Sequence, residues 1–188
     1  MKIKIMNTET RVCPPEYSWA LSNKMRKIVH SPEKILGNYI QKGMNVLDIG
    51  CGPGFFTIPM SAMTGPSGTV TAVDFQAGML IMIHDKIENT IYEQNIKLHH
   101  CSKEQLNITG EYDFALTFYM VHEVPYPVNL MKDIYSILKK DGKYLLVEPK
   151  GHVSKEAFEK TVELAKSAGF KQEENPSVFF SRAVLFVK

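Results

Sequence analysis

The chain has 188 residues, a length that suits one domain with a full hydrophobic core and falls short of two ordinary ones. Apolar residues at 44% against 22% charged give a globular profile, and a formal net charge of +2 offers no electrostatic reason for a nucleic-acid or anionic-membrane partner. No apolar run approaches the roughly 20 residues that span a bilayer, and the opening MKIKIMNTET has too short an apolar stretch for a secretory signal, so a cytoplasmic location is the expectation.

Residues 1–12 read as a polar lead-in. Trp19, Leu21, Met25, Ile28 and Val29 fall at helical spacing and predict a helix over 16–30. Ser31-Pro32-Glu33 opens a second helix: a capping hydroxyl, a proline suited to the first turn, and an acid at the positive dipole end. That helix carries Ile35, Leu36, Tyr39 and Ile40 and is expected to stop near Gly43. The chain then alternates: strands over 44–49, 69–73, 96–100, 112–120 and 144–148, and helices over 55–63, 79–92, 127–139 (ended by Asp141-Gly142) and 154–168. The tail holds a weak strand over 171–174 and a strong one over 178–187, joined through Asn175-Pro176 as an antiparallel hairpin at one edge. Such alternation predicts an α/β fold, a mostly parallel sheet covered on both faces. A single domain over 1–188 is expected, with 1–31 as an N-terminal helical extension or lid.

The densest signal is Val46-Leu47-Asp48-Ile49-Gly50-Cys51-Gly52-Pro53-Gly54-Phe55, where a buried strand feeds a glycine-rich turn that opens a helix. Glycines let the backbone turn tightly and approach a ligand, and the helix start presents free N–H groups. Asp48, two residues before the first glycine, decides between ligands. A pyrophosphate beside a carboxylate is disfavoured, whereas a ligand with an ammonium group welcomes it. S-adenosylmethionine carries that ammonium and no phosphate, so the loop favours it over a nicotinamide dinucleotide. Asp74, at the end of the second strand, is placed to accept both ribose hydroxyls of an adenosine, a role that suits either ligand.

VLDIGCGPGFFT followed by TAVDFQAGML resembles the first two motifs of the class I S-adenosylmethionine-dependent methyltransferases, and YDFALTFYMVHEV and LKKDGKYLLVEP resemble that family's fourth and fifth strands. The likeness is strongest to the methyltransferase type 11 and quinone-biosynthesis-like branch and covers about residues 32–188. It implies a Rossmann-like seven-stranded sheet of order 3-2-1-4-5-7-6 with strand 7 antiparallel, and S-adenosylmethionine as cofactor. The residues it implies for that cofactor are Asp48, Gly50, Cys51, Gly52, Gly54, Asp74, Phe75, Met79, Lys103 and Phe118. Ser102, also an expected cofactor contact, stands where the family usually has an acid that reads the adenine amino group.

Ligands sit outside the carboxyl ends of the strands, which brings Phe118, Tyr119, Met120, His122 and Glu123 to the acceptor end. His122 and Glu123 are the candidate catalytic residues, able to take a proton from an acceptor oxygen or nitrogen. Tyr119, Glu148, His152 and, from the lid, Tyr17 and Trp19 are the candidate substrate contacts. Positioning alone supplies roughly 7–11 kcal/mol in favourable cases, so methyl transfer does not demand a base. A small-molecule acceptor is expected, with the protein a monomer or homodimer. The Pro14-Pro15-Glu16-Tyr17 stretch lies in the wrong place for an amino-methylating motif after the fourth strand. Two other readings stand beside it: a non-catalytic S-adenosylmethionine-binding protein, and an arsenite-type methyltransferase suggested by Cys13, Cys51 and Cys101. A nicotinamide-dependent oxidoreductase is disfavoured by Asp48. No Cys-x-x-Cys pair occurs, and alternation sends His99 and His100 to opposite faces of their strand, so no metal site is expected.

Overall fold

Along each central strand, alternate side chains enter two separate cores. Val46, Val70, Ala72, Phe114, Leu116, Leu145 and Val147 lie in one, while Leu47, Ile49, Val73, Ala115, Tyr144 and Leu146 lie in the other. A period of two that is apolar on both phases requires cover on both faces, and the helices supply it. The computed structural model describes residues 29–188. In chain order its elements are α1 (Pro32–Leu36), β1 (Asn45–Ile49), α2 (Thr57–Thr64), β2 (Thr69–Asp74), α3 (Ala77–Ile87), β3 (Ile96–His100), β4 (Tyr112–Phe118), a 3₁₀ turn (Val121–Glu123), α4 (Pro127–Ile137), β5 (Leu138–Pro149), α5 (Lys155–Ser167), β6 (Lys171–Glu174) and β7 (Ser181–Val187). Helices α1 to α3 close the first core with Leu36, Met60, Leu80, Ile83 and Ile87. Helices α4 and α5 close the second with Leu130, Met131, Ile134, Phe158, Val162 and Ala165.

The seven strands form one sheet of order β3-β2-β1-β4-β5-β7-β6. All neighbours from β3 to β5 are parallel; β7 runs antiparallel to both β5 and β6. The order expected from the resemblance and the terminal hairpin expected from the tail are both present. Chain order reverses direction between β1 and β4, and the carboxyl ends of these two strands diverge into a crevice, the usual ligand position of an open parallel sheet.

Local chemistry accounts for most boundaries. Ser31 Oγ accepts the Lys34 N–H and Ser154 Oγ accepts the Ala157 N–H, so both expected caps form. Three boundaries move furthest. α1 ends at Leu36 rather than near Gly43, because Gly37 follows it and helix interiors disfavour glycine. α3 ends at Ile87 rather than at residue 92, and Asn89 then turns left-handed at φ 59°. β5 begins at Leu138, so Asp141-Gly142 does not stop a helix. Leu138 is buried and pairs with Tyr112, and the strand crosses a register shift there with Asp141 at φ 63°.

Candidate active site

Over the β1/β4 crevice lies a cleft of about 960 Å³. Its floor begins at the end of β1. Asp48 is buried at 3% exposure and accepts a hydrogen bond from Thr57 Oγ1 at 2.6 Å, so the first turn of α2 fixes its carboxylate beneath the glycine turn. Gly50 and Cys51 both donate their N–H groups to Val73 O, which clamps the turn to β2. Gly50 has φ 69°, and a Cβ there would stand 2.7 Å from Met120 Cγ. Gly52, at φ 51°, faces open space with nothing within 4 Å of such a Cβ. The first glycine is thus required by the protein's own packing, and the second leaves room for something else.

Asp74, at the end of β2, draws the turn toward itself: its carboxylate accepts the Gly52 N–H at 3.0 Å and the Gln76 N–H at 2.9 Å. Burial pushes its carboxyl above the usual range, and those N–H bonds offset part of the effect. Phe75, Met79, Ser102 and Lys103 line the cleft beside it, with the Lys103 ammonium 5.5 Å from the Phe75 ring centroid. The Ser102 hydroxyl serves its own loop, donating to Gln105 O and accepting from the Glu104 and Gln105 N–H groups. It is therefore already engaged where the family's adenine-reading acid would stand.

The far wall comes from β4 and the turn after it. Phe118 and Tyr119 line it, and Tyr119 sits at φ 63°, a costly conformation for a bulky side chain of the kind that gathers at functional sites. Its hydroxyl is tied to Ser181 Oγ at 2.5 Å and to His30 Nε2 at 3.1 Å, so the ring rather than the hydroxyl forms the wall. His122 and Glu123 follow on the 3₁₀ turn, both lining the cleft, with His122 Nε2 3.9 Å from Glu123 Oε1. Behind them, at the end of β5, Glu148 is buried at 1% exposure. Its Oε1 accepts the N–H groups of Val121 and His122 at 2.9 and 3.3 Å, and its Oε2 meets His122 Nδ1 at 2.5 Å. That hydrogen bond, ahead of the opposing effect of burial, raises the His122 pKa above the ordinary imidazole value.

Asp48, Gly50, Cys51, Gly52, Asp74, Phe75, Met79, Ser102, Lys103, Phe118, Tyr119, His122 and Glu123 therefore meet at one cleft, as expected. Three expected site residues stand elsewhere. Gly54 packs against Ile83 of α3, where a Cβ would lie 3.0 Å from its Cγ1; it serves the join between turn and helix. Glu148 lies behind the wall and is consumed by the turn it holds. His152 does not line the cleft; its ring centroid is 6.3 Å from that of His122. Tyr17, Trp19 and the lid lie outside the described residues. Sequence reasoning missed several other lining residues, among them Gln76, Cys101, Val124, Tyr126, Leu130 and Asp133. Gln76 and Cys101 follow strand ends, which hints at their place; Leu130 and Asp133, inside α4, carry no such signal. Cys51 and Cys101 are free thiols. Burial, reinforced by Asp48 and Asp74, raises the Cys51 pKa far above normal, and burial raises that of Cys101 to about 11. Among the described residues no cluster of three or more His, Cys, Asp or Glu side chains suits a metal ion, and no helix is long and apolar enough to cross a membrane.

A sheet of this order with only β7 reversed, carrying an acid-headed glycine turn at its switch point, is the architecture of the class I S-adenosylmethionine-dependent methyltransferase domain. The chain belongs to the methyltransferase-domain family, whose sequence profile matches residues 40–180. Over 110 residues it is 32% identical to the demethylmenaquinone methyltransferase of Lactobacillus johnsonii, covering 58% of this chain and 45% of that protein. The corresponding protein of Staphylococcus aureus is 31% identical over 58% of this chain and 44% of its own length. The match thus spans less than half of each relative. Among solved structures, a SAM-dependent methyltransferase from Aquifex aeolicus superposes with a TM-score of 0.84 at 21% identity, covering 94% of this chain and 99% of that one. A TehB-like SAM-dependent methyltransferase from Corynebacterium glutamicum gives a TM-score of 0.72 at 15% identity over 93% and 100%. At these identities the likeness is one of fold.

Proposed function

We propose that the protein transfers a methyl group from S-adenosylmethionine to a small hydroxyaromatic acceptor. The observation that carries this reading is the continuity of the cleft. One end is polar and fixed by Asp48, Gly52 and Asp74; the other is walled by Phe118, Tyr119, Tyr126 and Leu130 and carries His122 and Glu123. The residues fit the cofactor. The buried Asp48 carboxylate suits an ammonium group, the open space at Gly52 admits a ligand against the backbone, and Asp74 keeps acceptor capacity for ribose hydroxyls after taking two N–H groups. When bound, S-adenosylmethionine supplies a methyl group already activated as a sulfonium. What remains for the chain is to orient, to exclude water and to remove a proton. The aromatic wall suits a flat ring, and the curated relatives' names point to a quinone-type acceptor. The neutral state of Cys51 and Cys101 supports this reading over thiolate capture of an arsenical.

Two measurements test the proposal. Calorimetric titration with S-adenosylhomocysteine is expected to show one site, and incubation with S-adenosylmethionine and a panel of catechols and reduced naphthoquinones is expected to yield S-adenosylhomocysteine and a methylated product. Absence of binding overturns the cofactor assignment. Binding without turnover of any panel member overturns the acceptor class.

A further inference from the structure

We propose that Glu148 is a positioning residue that fixes the His122 imidazole with Nδ1 as donor and Nε2 as the proton acceptor for the methyl acceptor's hydroxyl. This deepens the function proposed above and rests on it. Three hydrogen bonds carry the argument. Glu148 is only 1% exposed, yet both its oxygens are used, and every partner lies on the Val121–Glu123 turn: two backbone N–H groups and the His122 ring. A buried carboxylate accepts only, so Nδ1 carries the hydrogen, and the neutral ring holds its lone pair on Nε2. Because the Nδ1 edge is turned to Glu148, the Nε2 edge points the other way, toward Glu123, which lines the cleft. The backbone bonds hold the turn itself, so the ring's position follows from β5 rather than from a mobile loop.

The charged and titratable groups around the ring agree with this role. Glu148 from β5 and Glu123 from the same turn both stabilise an imidazolium, and His152, from the loop after β5, is the third titratable neighbour. The step balances simply. The hydroxyl proton passes to Nε2, the electron pair it leaves drives the acceptor's attack on the methyl carbon, and the pair of the broken methyl–sulfur bond stays on sulfur, leaving a neutral thioether. The imidazolium then returns its proton to water. A base of this strength matches a phenolic hydroxyl, whose pKa lies near about 10 as in tyrosine, far better than water or an aliphatic alcohol.

The test combines nuclear magnetic resonance of labelled imidazoles with pH–rate profiles, using the best acceptor of the catechol and naphthohydroquinone panel. In the wild type, the nitrogen shifts of His122 are expected to report the Nδ1–H tautomer and a pKa above the ordinary value of about 6.5. This reading requires no acceptor, so it stands apart from any failure of the panel; an Nε2–H tautomer overturns the proposal. Glu148→Gln is expected to lower kcat about 10–100-fold and move the acid limb of the profile to lower pH, and Glu148→Asp to restore part of both. His122→Gln is expected to lower kcat about 10²–10⁴-fold, with S-adenosylhomocysteine affinity kept within about threefold, since uniform binding is untouched. An unmoved acid limb in Glu148→Gln, or near-normal kcat in His122→Gln, overturns it. Should Glu148→Gln fail to fold, His122→Gln and the tautomer measurement still decide.

Discussion

Gly50 and Gly52 stand two residues apart in the same turn, both with positive φ, and replacing each with alanine is expected to break different things. At Gly50, φ 69° costs an L-residue about 1–2 kcal/mol. The new Cβ would also stand 2.7 Å from Met120 Cγ and 2.9 Å from Met120 Cβ. Cβ is anchored to the backbone, so swinging the Met120 side chain away does not relieve the clash. Overpacking of this kind adds about 1–3 kcal/mol, giving roughly 2–5 kcal/mol in all for Gly50→Ala. For a chain of this length that lowers the thermal midpoint by roughly 4–20 °C. At Gly52, φ 51° carries the same conformational cost, yet the Cβ meets nothing within 4 Å. Gly52→Ala therefore costs only about 1–2 kcal/mol in the ligand-free protein. Its Cβ instead occupies cleft space that the cofactor is proposed to fill. The assay is a urea melt of each variant with and without S-adenosylhomocysteine. At a ligand concentration of 100 times Kd the wild type gains about 2.7 kcal/mol, and Gly52→Ala is expected to gain almost none of it. Equal destabilisation of the two variants, or full ligand stabilisation of Gly52→Ala, refutes this division of labour within the turn.

Thr57→Val removes the hydroxyl that holds the buried Asp48 carboxylate, and a lost hydrogen bond to a charged group is expected to cost about 1.5–3 kcal/mol in urea unfolding; an unchanged midpoint counts against the bond. The raised His122 pKa makes a signed prediction about stability. Its contribution is complete below the unfolded imidazole pKa of about 6.5 and disappears as pH rises through the higher folded value. The stability gap between wild type and His122→Gln is therefore expected to be wider at acid pH than in alkali, and a gap independent of pH contradicts it. Cys101, raised to about 11, is expected to be alkylated by iodoacetamide much more slowly at pH 8 than a free thiol, with the rate climbing toward pH 11; peptide mapping reads this, and rapid labelling at neutral pH refutes it.

Much of this protein is local enough to be written in its sequence. The parallel sheet is legible because Val46-Leu47 and Leu145-Leu146 are apolar on both phases of a two-residue period, which only a sheet covered on both faces can bury. The acid-headed glycine turn and Asp74 are legible because chain connectivity alone places a β1–α2 turn and a β2 end beside each other in a right-handed crossover. Ser31 and Ser154 cap their helices because capping reaches only three residues. Tertiary structure decided what depends on distant partners. Asp141-Gly142 reads as a helix stop and falls instead within β5, in the register shift between the Leu138–Tyr112 and Lys143–Phe114 pairs, which only pairing with β4 sets. Glu148 reads as a substrate contact and proves to be buried behind the wall, because parallel pairing of β5 with β4 carries its carboxylate under the Val121–Glu123 turn. The sequence by itself determined the fold and the meeting of the glycine turn with Asp74, where the groups involved are close in the chain or at matched strand ends. The pairing of His122 with Glu148 and the aromatic wall are decided only by packing, which brings together side chains the chain separates.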